Sequence, residues 1–78
     1  MRSIEEIRRD IDRIDQQIAP LLTERLALAR EIGQLKKAYS MPVRDEKREE
    51  EILASLPEDI REIYRSVFAA SVAVEEKE

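Results

Sequence analysis

Residues 3–36 read SIEEIRRDIDRIDQQIAPLLTERLALAREIGQLK and carry the clearest pattern in the chain. Apolar residues recur there at alternating spacings of three and four: Ile4, Ile7, Ile11, Ile14, Ile18, Leu21, Leu28, Ile32 and Leu35. Arg25 occupies one position of the same series, which predicts a single long amphipathic helix. Ser3 and Glu6 match the S-x-x-E capping box, so we expect the helix to begin at Ser3.

The predicted helix is too long to be covered by the rest of a small domain. A helix from Ser3 to about Tyr39 spans ~55 Å, about twice the width of a compact domain of this size. Its apolar face therefore needs a partner along its whole length.

Two residues interrupt this pattern. Pro20 costs ~3 kcal/mol in a helix interior, and the alternative is a pair of helices joined near Ala19. The apolar series continues in register from Ile18 to Leu21, so we predict one kinked helix with Pro20 toward solvent. Gly33, the only glycine, costs ~1 kcal/mol relative to Ala and indicates a close approach to the backbone.

The remaining sequence predicts two shorter helices. Pro42 disfavours helix in the residue before it, so residues 40–44 should form an extended connector. Asp45 is a suitable N-cap for a short helix from Glu46 to about Ser55. Pro57 suits the first position of a third helix, whose packing face is expected to contain Ile60, Ile63, Tyr64, Val67, Phe68, Val72 and Val74.

Length and composition agree with an all-α fold of one domain, residues 1–78. Of the 78 residues, 41% are charged, 42% are hydrophobic and one is Gly, a balance typical of long helices. A chain this short buries only about 60% of the surface that it exposes when unfolded, so a monomer would be marginally stable. We predict three helices, long, short and medium.

Several classes of function are excluded or disfavoured. The sequence has no Cys and no His, which excludes thiol and imidazole catalysis and the usual zinc and haem ligands. No apolar run exceeds four residues, and the first residues do not resemble a signal peptide, so we expect no membrane contact and a cytoplasmic protein. The net charge of −4 disfavours nucleic acid as a partner.

Polar residues stand on faces that should be apolar. Arg25 and Lys36 are eleven residues apart, about three turns, and so project from nearly the same side of the long helix. Helical spacing places further polar residues in line with apolar ones on the other helices: Arg48, Glu49, Ser71 and Glu75. Each alone has an ordinary structural explanation, such as coiled-coil register, a snorkelling lysine or surface charge. Together they favour either an internal ion-pair network or a pocket for a charged ligand.

The motifs that carry these residues resemble those of the all-helical (AroQ) class of chorismate mutases, over about residues 4–75. They are IRRDIDRID (7–15), LLTER (21–25), IGQLK (32–36) and PVRDEKRE (42–49). The resemblance implies the Claisen rearrangement of chorismate to prephenate in phenylalanine and tyrosine biosynthesis. That reaction needs no metal, cofactor or nucleophile, and it requires a dicarboxylate to be held in its reactive conformer beside positive charge.

The resemblance also implies roles for individual residues. Arg8 and Arg25 match arginines that bind the substrate carboxylates, and Lys36 matches the lysine that reaches a carboxylate and the ether oxygen. Asp45 and Glu49 match residues around the ring hydroxyl, with Glu49 as its acceptor.

Three further residues complete the expected site. Arg48 matches an arginine that lines it, Ser71 a residue near a carboxylate, and Glu75 the donor to the ether oxygen. Together with Arg25 and Lys36, Glu75 would be catalytic. Because Glu75 can donate only when protonated, we expect activity to rise toward acidic pH.

Arg8 and Arg25 cannot serve one small substrate within one chain. They are 17 residues apart, ~25 Å along a continuous helix, so Arg8 must come from a partner. This fits the intertwined homodimer that the resemblance implies, in which each site borrows an arginine from the other protomer.

Two other functions compete with the mutase. Isochorismate-pyruvate lyase shares the scaffold and much of the site. A non-catalytic helical dimerisation module, fused to or associated with a shikimate-pathway enzyme, would bind no small dianion and would tolerate Arg25→Ala. The mutase is favoured because such a module has no need of Lys36, Arg48 and Glu49 at these positions.

Overall fold

A computed structural model describes residues 1–77 and contains three helices within them. These are α1 (Ile4–Ala38), α2 (Glu46–Ala54) and α3 (Glu58–Lys77). The long, short and medium order confirms the predicted all-α architecture.

The ends and the continuity of α1 follow from its sequence. Ser3 Oγ accepts from the Glu6 backbone N–H at 3.1 Å, and the Ser3 backbone N–H donates to Glu6 Oε1 at 3.2 Å. This is the predicted capping box, which satisfies two amides that lack helical partners. Pro20 lies inside α1, which continues through it as one helix, as predicted.

A Schellman motif ends α1 and turns the chain toward α2. Ser40 adopts a positive φ of 54°, and its backbone N–H donates to Lys37 O at 3.3 Å while that of Met41 donates to Lys36 O at 2.7 Å. These two bonds are the pair that defines the motif. The connector that we predicted as extended thus begins with a tight left-handed turn.

Asp45 and Pro57 mark the starts of the two shorter helices. Asp45 Oδ1 accepts from the Arg48 backbone N–H at 3.1 Å, which confirms the predicted N-cap of α2. Pro57 precedes α3 instead of occupying its first position, since its carbonyl accepts the first helical bonds, from Ile60 N at 3.0 Å and Arg61 N at 3.1 Å.

The core lies between α3 and the C-terminal half of α1, with α2 packed against α3. Within residues 1–77 the buried set is small: Ala29, Gly33, Phe68 and Ser71. The predicted packing face of α3 is buried or half-buried except at Ile63, which is 59% exposed. Ile63 lies one residue before Tyr64, so the helical rotation turns it away from α1.

The apolar series of α1 is uncovered within one chain. Its nine Ile and Leu residues are between 43% and 67% exposed, and within residues 4–24 only Asp10 is even half-buried. The chain is correspondingly elongated, 56 × 24 × 14 Å. In the described part of the chain no helix combines the length and apolar character needed to cross a membrane.

Candidate active site

A pocket of about 320 Å³ lies between α1, α2 and α3. Its volume falls at the lower end of the range for small-molecule sites, about 300–1,000 Å³. Seven of the eight residues expected from the sequence line it: Arg25, Lys36, Asp45, Arg48, Glu49, Ser71 and Glu75. Arg8 is exposed on α1 and lies ~25 Å from Arg25 along the helix.

Arg25 extends from α1 to α3 and is held there on several sides. Its Nη1 donates to Ser71 Oγ, which donates in turn to Val67 O at 2.9 Å. The guanidinium carbon lies 6.0 Å from the centroid of the Tyr64 ring and 5.7 Å from that of Phe68, within cation–π range. These contacts fix the direction of the side chain, and the Ser71 bond uses only one of its five N–H donors.

Lys36 on α1 contacts both α3 and the connector that precedes α2. Its Nζ donates to Glu75 Oε1 on α3 at 2.8 Å and to the Val43 carbonyl in the connector before α2. The two charged side chains are only 16% and 9% exposed. A pair that is shielded from water is tolerated because each charge compensates the other.

The α2 side of the pocket carries two carboxylates, Asp45 and Glu49, beside Arg48. Asp45 caps the helix through the Arg48 amide, as described above. Glu49 is 20% exposed and accepts from Arg44, with Nη2 at 3.1 Å and Nε at 3.3 and 3.4 Å from its two oxygens. This hydrogen bond and the charge of Glu49 raise the pKa of the Arg44 guanidinium above its usual value.

Sequence reasoning missed Val43 and Ala29, which line the pocket, and Arg44, which holds Glu49. The Val43 acceptor is a backbone carbonyl, so no side-chain signal marks it. Arg44 is five residues before Glu49 and precedes the N-cap of α2, so helical spacing does not relate the two residues. Ala29 is four residues from both Arg25 and Gly33, so the three residues lie on one face of α1. Two of them are small, which could have indicated where α3 approaches.

The arrangement can bind and orient a small anionic molecule. Three cations, Arg25, Lys36 and Arg48, share the pocket with three carboxylates, Asp45, Glu49 and Glu75. Among residues 1–77, no group of three or more acidic, His or Cys side chains converges as a metal site would. The lining of the pocket offers preorganised charge and hydrogen-bond donors.

Fold and pocket define a class of protein: a small helical bundle whose pocket between the helices is lined by three cations and three carboxylates. The chain belongs to the chorismate mutase type II family, whose model matches residues 7–76. This confirms the resemblance drawn from the sequence motifs.

Two curated relatives are also named as chorismate mutases. The chain is 38% identical over 74 residues to a bifunctional chorismate mutase/prephenate dehydratase of Aquifex aeolicus, covering 95% of this chain and 20% of that protein. It is 36% identical over 52 residues to a chorismate mutase of Methanocaldococcus jannaschii, covering 67% of this chain and 52% of that protein. The chain therefore spans about half or less of these curated relatives.

Solved structures match over nearly their whole length. A chorismate mutase (form II) of Thermus thermophilus superposes with a TM-score of 0.86 at 38% identity, covering 96% of each chain. A conserved hypothetical protein of Pyrococcus furiosus superposes with a TM-score of 0.86 at 40% identity, covering 92% of this chain and 93% of that one.

Proposed function

We propose that this chain, as a single domain of residues 1–78, is a chorismate mutase that converts chorismate to prephenate in the cytoplasm. The observation that carries the proposal is the convergence of Arg25, Lys36 and Glu75 in one pocket of about 320 Å³. In the reaction the ether C–O bond breaks as a new C–C bond forms, and no atom leaves the molecule. The protein therefore supplies conformation and charge, and no group that bonds to the substrate.

The cations would hold the substrate in its compact conformer. Arg25 binds one carboxylate with the N–H donors that Ser71 does not use, and Ser71 lies beside the same group. Lys36 has three N–H donors, of which the Val43 carbonyl and Glu75 take two. The third can reach the ether oxygen, where negative charge grows as the bond breaks.

The α2 residues would recognise the ring. Glu49 accepts a hydrogen bond from the ring hydroxyl while Arg44 holds the carboxylate in place from its other side. Arg48 and Asp45 border the same part of the pocket. One carboxylate, the ether oxygen and the hydroxyl would thus each meet groups of opposite character.

Arg8 would reach the pocket from a second copy of the chain. The uncovered apolar series of α1 runs the length of the molecule, and a homodimer that pairs two α1 helices would bury it. The same pairing would bring the Arg8 of each chain near the pocket of the other. Because the Aquifex aeolicus relative is named as a mutase joined to a prephenate dehydratase, an associated enzyme that consumes prephenate would be a natural further partner.

The first experiment measures the loss of chorismate absorbance between about pH 5 and pH 8, with prephenate identified as the product. In the structure Glu75 accepts from Lys36 as a carboxylate, and it can donate to the ether oxygen only after it takes up a proton. Turnover that depends on Glu75 as a donor should therefore rise toward acidic pH. Glu75→Gln should flatten the profile, since an amide donates at every pH.

The pH profile separates the role of Glu75 from the mutase activity itself. A rate that does not change with pH would remove Glu75 as the acid and leave the mutase. Absence of turnover at every pH would contradict the proposal, and isochorismate, with salicylate as the product, would then test the lyase.

A further inference from the structure

Gly33 brings the backbones of α1 and α3 into direct contact at Glu75. A Cβ placed on Gly33 would lie 2.8 Å from Glu75 Cα, 2.9 Å from Glu75 O and 3.2 Å from Glu75 Cβ. Carbon atoms in ordinary contact are ~3.5–4.0 Å apart, so any side chain here would push the helices apart by roughly 1 Å. Gly33 is helical and has no positive φ. Its lack of a side chain is therefore needed for the contact and not for the backbone conformation.

This contact lies one helical turn from the ion pair of the pocket. Lys36 follows Gly33 by three residues and so projects from the same face of α1. The residue whose backbone touches Gly33 is also the residue whose carboxylate accepts from Lys36 at 2.8 Å. The backbone separation at Gly33 thus sets how far the Glu75 carboxylate reaches toward α1.

We propose that Gly33 is a positioning residue, which seats α3 directly on α1 so that Glu75 reaches Lys36 and the reacting part of the pocket. The proposal rests on the proposed function and deepens it, because Gly33 touches no substrate and acts through Glu75. The low exposure of both charged side chains leaves them little freedom to compensate for a displaced backbone. A displacement of ~1 Å in a catalytic group can lower a rate by about 100-fold.

The first test combines Gly33→Ala with removal of Glu75. In the wild-type background Gly33→Ala should lower kcat by about 10- to 100-fold. In a Glu75→Ala background the same change should lower kcat by less than about threefold, because the group it displaces is already absent. Ala27→Gly, on an exposed face of the same helix, is the control and should leave kcat unchanged. A wild-type kcat in Gly33→Ala, or equal losses in both backgrounds, would overturn the proposal.

Urea unfolding at fixed protein concentration gives a readout without turnover. Glu75→Gln should lower the unfolding midpoint in the wild type and leave it unchanged in Gly33→Ala, where the pair with Lys36 is already broken. A shift of equal size in both backgrounds would overturn the positioning role. If the wild type does not convert chorismate, the proposed function fails. The unfolding midpoints of the wild type, the two single variants and the double variant then decide whether Gly33 positions Glu75.

A variant on α3 covers the case in which Gly33→Ala does not fold. Glu75→Asp withdraws the carboxylate by about 1.5 Å without moving either backbone. We expect a loss of kcat similar to that of Gly33→Ala. A wild-type kcat in Glu75→Asp would show that the reach of this carboxylate is immaterial and would overturn the proposal.

Discussion

The Arg25 guanidinium lies where the pocket meets the hydrophobic core. Its guanidinium lies against the rings of Tyr64 and Phe68, where a methionine side chain would pack comparably. Arg25→Met should lower kcat/KM at least about 100-fold, equivalent to ~2.7 kcal/mol of transition-state stabilisation. The free energy of unfolding should stay equal or rise, because a partly desolvated cation is removed.

Steady-state kinetics and urea unfolding of the same preparation check this prediction. Arg65→Met is a matched control, since Arg65 pairs with Glu62 on the exposed surface and both quantities should stay at the wild-type level. Unimpaired kcat/KM in Arg25→Met would instead show that Arg25 does not bind the substrate.

The site was predictable where helix geometry fixes side-chain direction. Arg25 and Lys36 were expected on one side of α1 because eleven residues are about three turns, and the pocket contains both. The placement of Ser71 and Glu75 depended on the resemblance, because a sequence does not state how α3 is aligned with α1. The Val43 carbonyl was not predictable, since its position follows from the left-handed turn at Ser40, a conformation that serine adopts infrequently.

The continuity of α1 through Pro20 gives a prediction for that helix. Proline cannot donate to the Gln16 carbonyl and its ring crowds the preceding turn, so Pro20→Ala should raise the free energy of unfolding by about 1–3 kcal/mol. The measurement is urea unfolding at a fixed chain concentration, because assembly also contributes to stability.

Pro57→Ala is the matched control for this prediction. Pro57 precedes α3 at a position where a missing N–H breaks no helical bond, so its replacement should change stability little. A lower stability in Pro20→Ala would mean that the pairing of α1 requires Pro20.

The helices were predictable because their signals are local. The Ser3 capping box and the Asp45 cap each involve residues three apart, and the structure contains both. Pro57 was misplaced by one residue because its missing N–H breaks no helical bond at either position, and sequence does not fix the first residue of a helix that closely. Ile63 was wrongly assigned to the packing face because the apolar content of α3 does not state which of two adjacent faces meets α1.

At the scale of the whole molecule, the proposed dimer can be tested by mixing inactive variants. Homodimers of Arg8→Ala and homodimers of Arg25→Ala should each be nearly inactive. After unfolding and refolding together in equal amounts, half of the dimers should be mixed, and each should contain one site with both arginines intact. Activity should therefore recover to about one quarter of the wild-type level.

Chorismate turnover before and after co-refolding is the measurement. Co-refolding Arg25→Ala with a second sample of itself is the control and should recover nothing. If the mixture stays inactive although mixed dimers are detected, Arg8 does not act across the interface.

The uncovered face of α1 repeats nearly every seven residues, so burial of apolar surface alone does not specify one alignment of two chains. A dimer slipped by one repeat would still match apolar residues against apolar residues over most of the interface. It would nevertheless carry Arg8 about 10 Å from its place. In the proposed dimer, natural selection for turnover therefore also selects the alignment of the two chains, because only the correct alignment brings Arg8 to the pocket of the other chain.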